Sequence, residues 1–114
     1  LNILGLDRSM WYNGGPSQYT EAEMKKRISR LWFALWRKRP LHMVVTHASP
    51  RHIHDKEDLC HRGFECFRTL LEKRYPDYLI HGHIHEPFET FDDRVTRFNS
   101  TRVINTCGYT LFEA

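Results

Sequence analysis

Two short apolar runs that each lead into histidine most constrain what this chain can fold into. Leu41-His42-Met43-Val44-Val45-Thr46 ends at His47, and Tyr78-Leu79-Ile80 enters His81-Gly82-His83-Ile84-His85. Runs of this length, rich in β-branched residues, read as buried strands. A helix-period segment lies between them, so the order strand, helix, strand is that of an α/β protein. Both histidine groups then stand at the carboxyl end of a strand, where open α/β sheets bind their ligands. In an extended chain alternate side chains share a face, so His83 and His85 point the same way and His81 can join them. Gly82 is expected where the backbone comes close to something or turns sharply. Neutral imidazoles converging at a strand end suit a transition metal.

The rest of the chain frames these two strands. Residues 1–6 read as a strand. Residues 7–17 read as a loop, with turn chemistry at Asp7-Arg8-Ser9 and Asn13-Gly14-Gly15-Pro16. Met10, Trp11 and Tyr12 pin this loop to the core or line a pocket. Thr20-Glu21-Ala22-Glu23 spells a capping box. One helix is predicted from there to Pro40, with Met24, Ile28, Leu31 and Leu35 on one stripe and Trp32 and Trp36 widening it. Its Lys25-Lys26-Arg27 and Arg37-Lys38-Arg39 groups read as a solvated face with a favourable terminal charge pattern. Residues 50–62 form a loop carrying His52, His54, Asp55, Asp58 and His61. Gly63 to Tyr75 is the next helix, with Phe64, Phe67, Leu70, Leu71 and Tyr75 on one side. Phe88 to Phe98 carries Asp92-Asp93 as a hairpin turn. Residues 102–107 read as a strand, and Tyr109 to Phe112 as an edge strand.

Composition excludes several classes. With 114 residues the chain makes one small domain. A net charge of +3 is too weak to imply nucleic acid. No apolar run is long enough to span a membrane. Cys60, Cys66 and Cys107 are odd in number and hold no C-x-x-C pair, against a disulfide framework or a four-cysteine zinc site. Such cysteine usage fits a reducing cytoplasm.

On residue chemistry alone, three histidines can hold one zinc with a position left open. A two-metal hydrolase also wants a carboxylate bridging ions about 3.5–4 Å apart. Asp7 follows a strand but has no histidine two residues on. His61 and His54 could face a substrate phosphate; otherwise His61 caps the second helix and His54 is solvated. His81 is expected to pack or hydrogen-bond. Asn105 either fixes a ligand histidine or is a structural amide. Cys66 and Cys107 are expected in the core.

Val44-Val45-Thr46-His47-Ala48-Ser49-Pro50 and Gly82-His83-Ile84-His85 resemble the last two metal motifs of the calcineurin-like metallophosphoesterases. Trp11-Tyr12-Asn13-Gly14-Gly15-Pro16, Tyr19-Thr20-Glu21 and His61-Arg62-Gly63-Phe64-Glu65 resemble one bacterial-type branch, so the similarity runs through nearly the whole chain. The resemblance implies a four-layer α/β/β/α sandwich with a dinuclear centre at the strand ends. It implies that His47 and His83 bind one metal and His85 the other. The ions would be divalent manganese, iron, zinc, nickel or cobalt, and the substrate a phosphomonoester or phosphodiester.

The family's earlier motifs, Asp-x-His, Gly-Asp and Gly-Asn-His-Asp or Glu, do not occur in this sequence. Residues 1–114 are therefore expected to be the C-terminal part of a single phosphoesterase domain. The chain supplies only the C-terminal histidine ligands, is inactive alone, and carries partial or no metal. Its partners are a phosphate ester and either an N-terminal half or a second copy, as a dimer or a swapped assembly. Two alternatives remain: a non-catalytic interaction scaffold with this fold, and a simple three-histidine metal module.

Overall fold

Leu4, Val44, Leu79 and Val103 stand side by side across four neighbouring strands and seal one face of a sheet. The last three are wholly buried. The computed structural model describes residues 1–108, 110 and 111. In chain order the elements begin with β1 (Ile3–Leu6), β2 (Ser9–Met10), β3 (Gln18–Tyr19), α1 (Glu21–Arg30) and α2 (Trp32–Arg37). There follow β4 (Met43–Thr46), α3 (Glu65–Arg74), β5 (Tyr78–His81), β6 (Val95–Phe98) and β7 (Thr101–Asn105). Short 3-10 turns occupy Leu59–His61 and Asp92–Arg94. The main sheet has the order β1-β4-β5-β7-β6, parallel except where β6 pairs antiparallel with β7. A parallel-dominated sheet with helices between its strands is the α/β class expected.

The covered face packs against the helices. Met24 and Ile28 from α1, Leu35 from α2, and Phe67, Leu70 and Leu71 from α3 join the sheet residues in one core. The opposite face is more open, with Ile3 56% and Val45 40% exposed.

Local chemistry sets the boundaries. Thr20 caps α1: its hydroxyl accepts from Glu23 N at 3.2 Å, and the Glu23 carboxylate accepts from Thr20 N at 3.0 Å. The single helix expected up to Pro40 is divided at Leu31, whose ψ of −3° leaves the helical range. Its N–H bonds back to Ile28 O, a tightened i to i−3 turn. Trp32 and Trp36 do not widen the buried stripe; they are 40% and 52% exposed. Cations cover them instead: Arg74 Cζ lies 3.9 Å from the Trp32 ring centre and Arg39 Cζ 4.7 Å from that of Trp36.

The start of α3 is held from across the molecule. Glu21 accepts from Glu65 N at 2.7 Å and Cys66 N at 3.0 Å, so an acid in the first turn of α1 caps another helix. Tyr75, expected on the apolar side of α3, instead ends the helix at φ 49° and is exposed. The last hairpin does not turn at Asp92-Asp93. It turns at Asn99-Ser100, with Asn99 at φ 53°, a conformation asparagine tolerates. Part of the 7–17 loop is extended, since β2 and β3 pair. Met10 pins it to the core, while Trp11 and Tyr12 are half-exposed. The edge strand expected at Tyr109 to Phe112 falls on residues whose ends lie outside the described ones. Among the described residues no helix is long and apolar enough to cross a membrane.

Candidate metal centre

Adjacent parallel strands β4 and β5 end together, and that places His47 beside the Gly82-His83-Ile84-His85 segment. Gly82 N donates to His47 O at 3.2 Å and ties the two strand ends. The His47 and His83 rings then lie 4.4 Å apart, centre to centre. Partial burial lowers the pKa of His47, and His83 and His85 lower it further, with Asp7 opposing. A neutral imidazole is the form that binds a metal.

The sharp backbone feature is at His83, not Gly82. His83 adopts φ 66°, whereas a Cβ at Gly82 would meet nothing within 4 Å among the described residues. The unusual conformation turns the His83 ring back over the 50–62 loop. Its Nε2 donates to Cys60 O at 2.8 Å and lies 3.8 Å from Cys60 Sγ. The His61 ring stacks on it at 4.8 Å. His61 does not cap α3, since it belongs to the 3-10 turn. Asp58 accepts from His61 Nδ1 at 2.6 Å and fixes that ring.

His85 points elsewhere. It is exposed, and its Nδ1 lies 3.1 Å from Cys107 Sγ. Cys107 is thus not a core residue. Cys66 is buried, and burial together with the Glu21 carboxylate pushes its thiol pKa up.

His81 is turned away from these rings and is 1% exposed. Its hydrogen bonds admit one consistent neutral assignment. Thr96 Oγ1 donates to His54 Nε2 at 2.7 Å, His54 Nδ1 donates to His81 Nε2 at 2.9 Å, and His81 Nδ1 donates to Gly82 O at 3.1 Å. His54 is therefore held between Thr96 and His81 rather than left solvated. Burial lowers the His81 pKa to about 4 and that of His54 in the same direction. Asn105, 1% exposed, donates to Ile84 O at 3.0 Å and accepts from Cys107 N at 2.9 Å. This buried amide holds the backbone between His83 and His85.

The 50–62 loop is braced at its base. The largest influence on Asp55 is burial, which raises its pKa. Hydrogen bonds from Gly63 N and Arg51, at 2.9 and 2.7 Å, outweigh it and leave the pKa lowered. Gly63 is required by space, because a Cβ there would stand 2.5 Å from backbone atoms of Ser49 and Pro50. Beside His47 a cleft of about 320 Å³ is lined by Asp7, Arg8, Tyr12 and Gln18. Asp7 pairs with Arg27 at 2.7 Å, and Arg8 Nε is buried with no hydrogen-bond partner among the described residues.

Sequence reasoning missed Cys60, the Asp58–His61 pair and the role of Glu21. An acid three residues before histidine, with cysteine adjacent, was the available signal for the first two. Glu21 gave none, because its partners lie more than 40 residues away.

The fold has a solved counterpart. One crystal structure is similar with a TM-score of 0.59 at 15% identity, over 92% of this chain and 40% of that one. The chain thus spans well under half the length of that protein. No curated protein matches. The sequence signature of the calcineurin-like phosphoesterases matches residues 3–87, from β1 to just past His85, and the chain belongs to that family.

Proposed function

We propose that this chain supplies the histidine side of a dinuclear metal centre in an enzyme that hydrolyses phosphomonoesters or phosphodiesters. The observation that carries the reading is the 4.4 Å approach of His47 and His83 at neighbouring strand ends, in a chain of this family. Imidazole nitrogens fit divalent manganese, iron, zinc, nickel or cobalt. His47 and His83 would hold one ion and His85 the second. When bound, such ions activate water and stabilise charge on the phosphoryl oxygens.

The chain's own residues do the rest. Asn105 and the His81–His54 pair hold the histidine segment in place. Arg8, which lines the cleft beside His47, meets a phosphate oxygen through the outer nitrogens of its guanidinium. The bridging carboxylate comes from another part of the domain, of which residues 1–114 are the C-terminal portion. The open sheet face at Ile3 and Val45 takes the second sheet of the four-layer sandwich.

Manganese-dependent hydrolysis of p-nitrophenyl phosphate and its bis ester tests this. The chain alone is expected to be inactive, and the chain with the complementary half active. His83→Ala then abolishes turnover. Full activity of the isolated chain, or no loss in His83→Ala, defeats the reading.

A further inference from the structure

The donor atoms of Cys60, His61 and His83 all lie within 4.8 Å of one another. This is a different ligand set from the phosphoesterase histidines, because it includes sulphur and excludes His47 and His85. We infer that these three residues form a zinc site of one thiolate and two imidazoles.

Three observations support it. In tetrahedral zinc, bonds of about 2.3 Å to sulphur and 2.0–2.1 Å to nitrogen put the two donors about 3.6 Å apart. Cys60 Sγ and His83 Nε2 are 3.8 Å apart, close to that separation, and binding displaces the Cys60 carbonyl that the same nitrogen now faces at 2.8 Å. Second, Asp58 already holds His61 through Nδ1, which presents Nε2 as the free donor. A carboxylate behind a ligand histidine is the usual support for zinc. Third, the elements are fixed: Cys60 and His61 share the 3-10 turn, and His83 is turned toward them by its positive φ.

Binding exchanges protons in a balanced way. The Cys60 thiol gives its proton to solvent as the zinc–sulphur bond forms. The His83 proton now donated to Cys60 O moves to Nδ1, freeing the Nε2 lone pair. Zinc neither gains nor loses electrons. Three protein ligands leave one position open for water or an exogenous thiol.

The site has a regulatory consequence, which rests on the phosphoesterase reading. His83 cannot serve zinc here and the ion shared with His47 together. Zinc at Cys60 therefore competes with the catalytic ion.

Cobalt(II) added to the full chain provides the test. A thiolate ligand gives a charge-transfer band in the near ultraviolet, which imidazole and carboxylate ligands do not. The band is expected in the wild type, in Cys107→Ser and in Cys66→Ser, and absent in Cys60→Ser. Asp58→Asn, which leaves all three ligands, is expected to weaken zinc binding by about 10–100-fold. No band in the wild type, a band that survives Cys60→Ser, or one lost with Cys107→Ser overturns the inference. Should Cys60→Ser fail to fold by circular dichroism, the wild type suffices. Zinc must shield Cys60 from iodoacetamide, read by peptide mass spectrometry, and equal labelling with and without zinc refutes the site. The band reports sulphur alone, so its absence leaves the phosphoesterase reading standing. Loss of phosphoesterase activity likewise leaves the band.

Discussion

Acidification should destabilise this fold through His81 in particular. In the neutral chain of Thr96, His54, His81 and Gly82, each nitrogen either donates or accepts. Adding a proton to His81 puts an N–H against the N–H of His54, inside the core and away from water. Burial foremost, and then the neighbouring His54, His47 and His83, hold the native pKa at about 4, below the usual 6.5. Between these values the unfolded chain binds the proton and the native chain does not. Stability rises with pH across that window and is lost as pH falls through it. The full difference is roughly 2.5 pH units at 1.36 kcal/mol each, or about 3 kcal/mol. By pH 5 the expected loss relative to pH 7 is about 2 kcal/mol, a large part of a small domain's stability. Urea unfolding at a series of pH values, with a chelator present, measures it. His81→Gln, which keeps a donor and an acceptor but cannot titrate, should remove about 2 kcal/mol of the loss between pH 7 and 5 and leave the part due to His47 and His54, whose pKa values are also lowered. A variant as acid-sensitive as the wild type refutes the reasoning. So does an imidazole nitrogen spectrum showing His81 charged at pH 5.5 in the folded chain.

Two further outcomes check the packing that carries the site. Glu21→Ala removes both acceptors from the start of α3 and should cost about 2 kcal/mol in urea unfolding; a cost below about 0.5 kcal/mol would show that the two bonds are not held in solution. Gly63→Ala should destabilise by about 1–3 kcal/mol, because the atoms it meets are backbone and cannot move aside. Gly82→Ala, with open space around it, should stay within about 0.5 kcal/mol, and the two glycines compared by urea unfolding separate crowding from the mere loss of glycine.

The strands and their histidines were legible because they depend on local pattern. A run such as Met43 to Thr46 must be buried on one face, and a histidine after it must emerge at the strand end. The parallel neighbours β4 and β5 follow from the helix between them. What was not legible depends on contacts between segments far apart in sequence. Trp32 fits a helical stripe, yet Arg74 from α3 covers it, and spacing within one helix cannot reveal a cation supplied by another element. The same holds for the thiols. Cys107 reads as a core residue on a strand, but β7 ends at Asn105, and the side chain emerges beside His85. Cys60 has no C-x-x-C partner, so sequence pairing rules passed over it, although its partner is a histidine 23 residues away. The positive φ of His83 made that encounter possible. A histidine at a left-handed position is uncommon, because its Cβ crowds the backbone. The glycine was the residue expected to turn. By turning one residue later, the chain keeps the histidine backbone fixed by Asn105 and aims the ring at the 50–62 loop rather than along the strand. The arrangement of the histidine rings at these strand ends therefore rests on this one dihedral and the buried amide that holds the next residue.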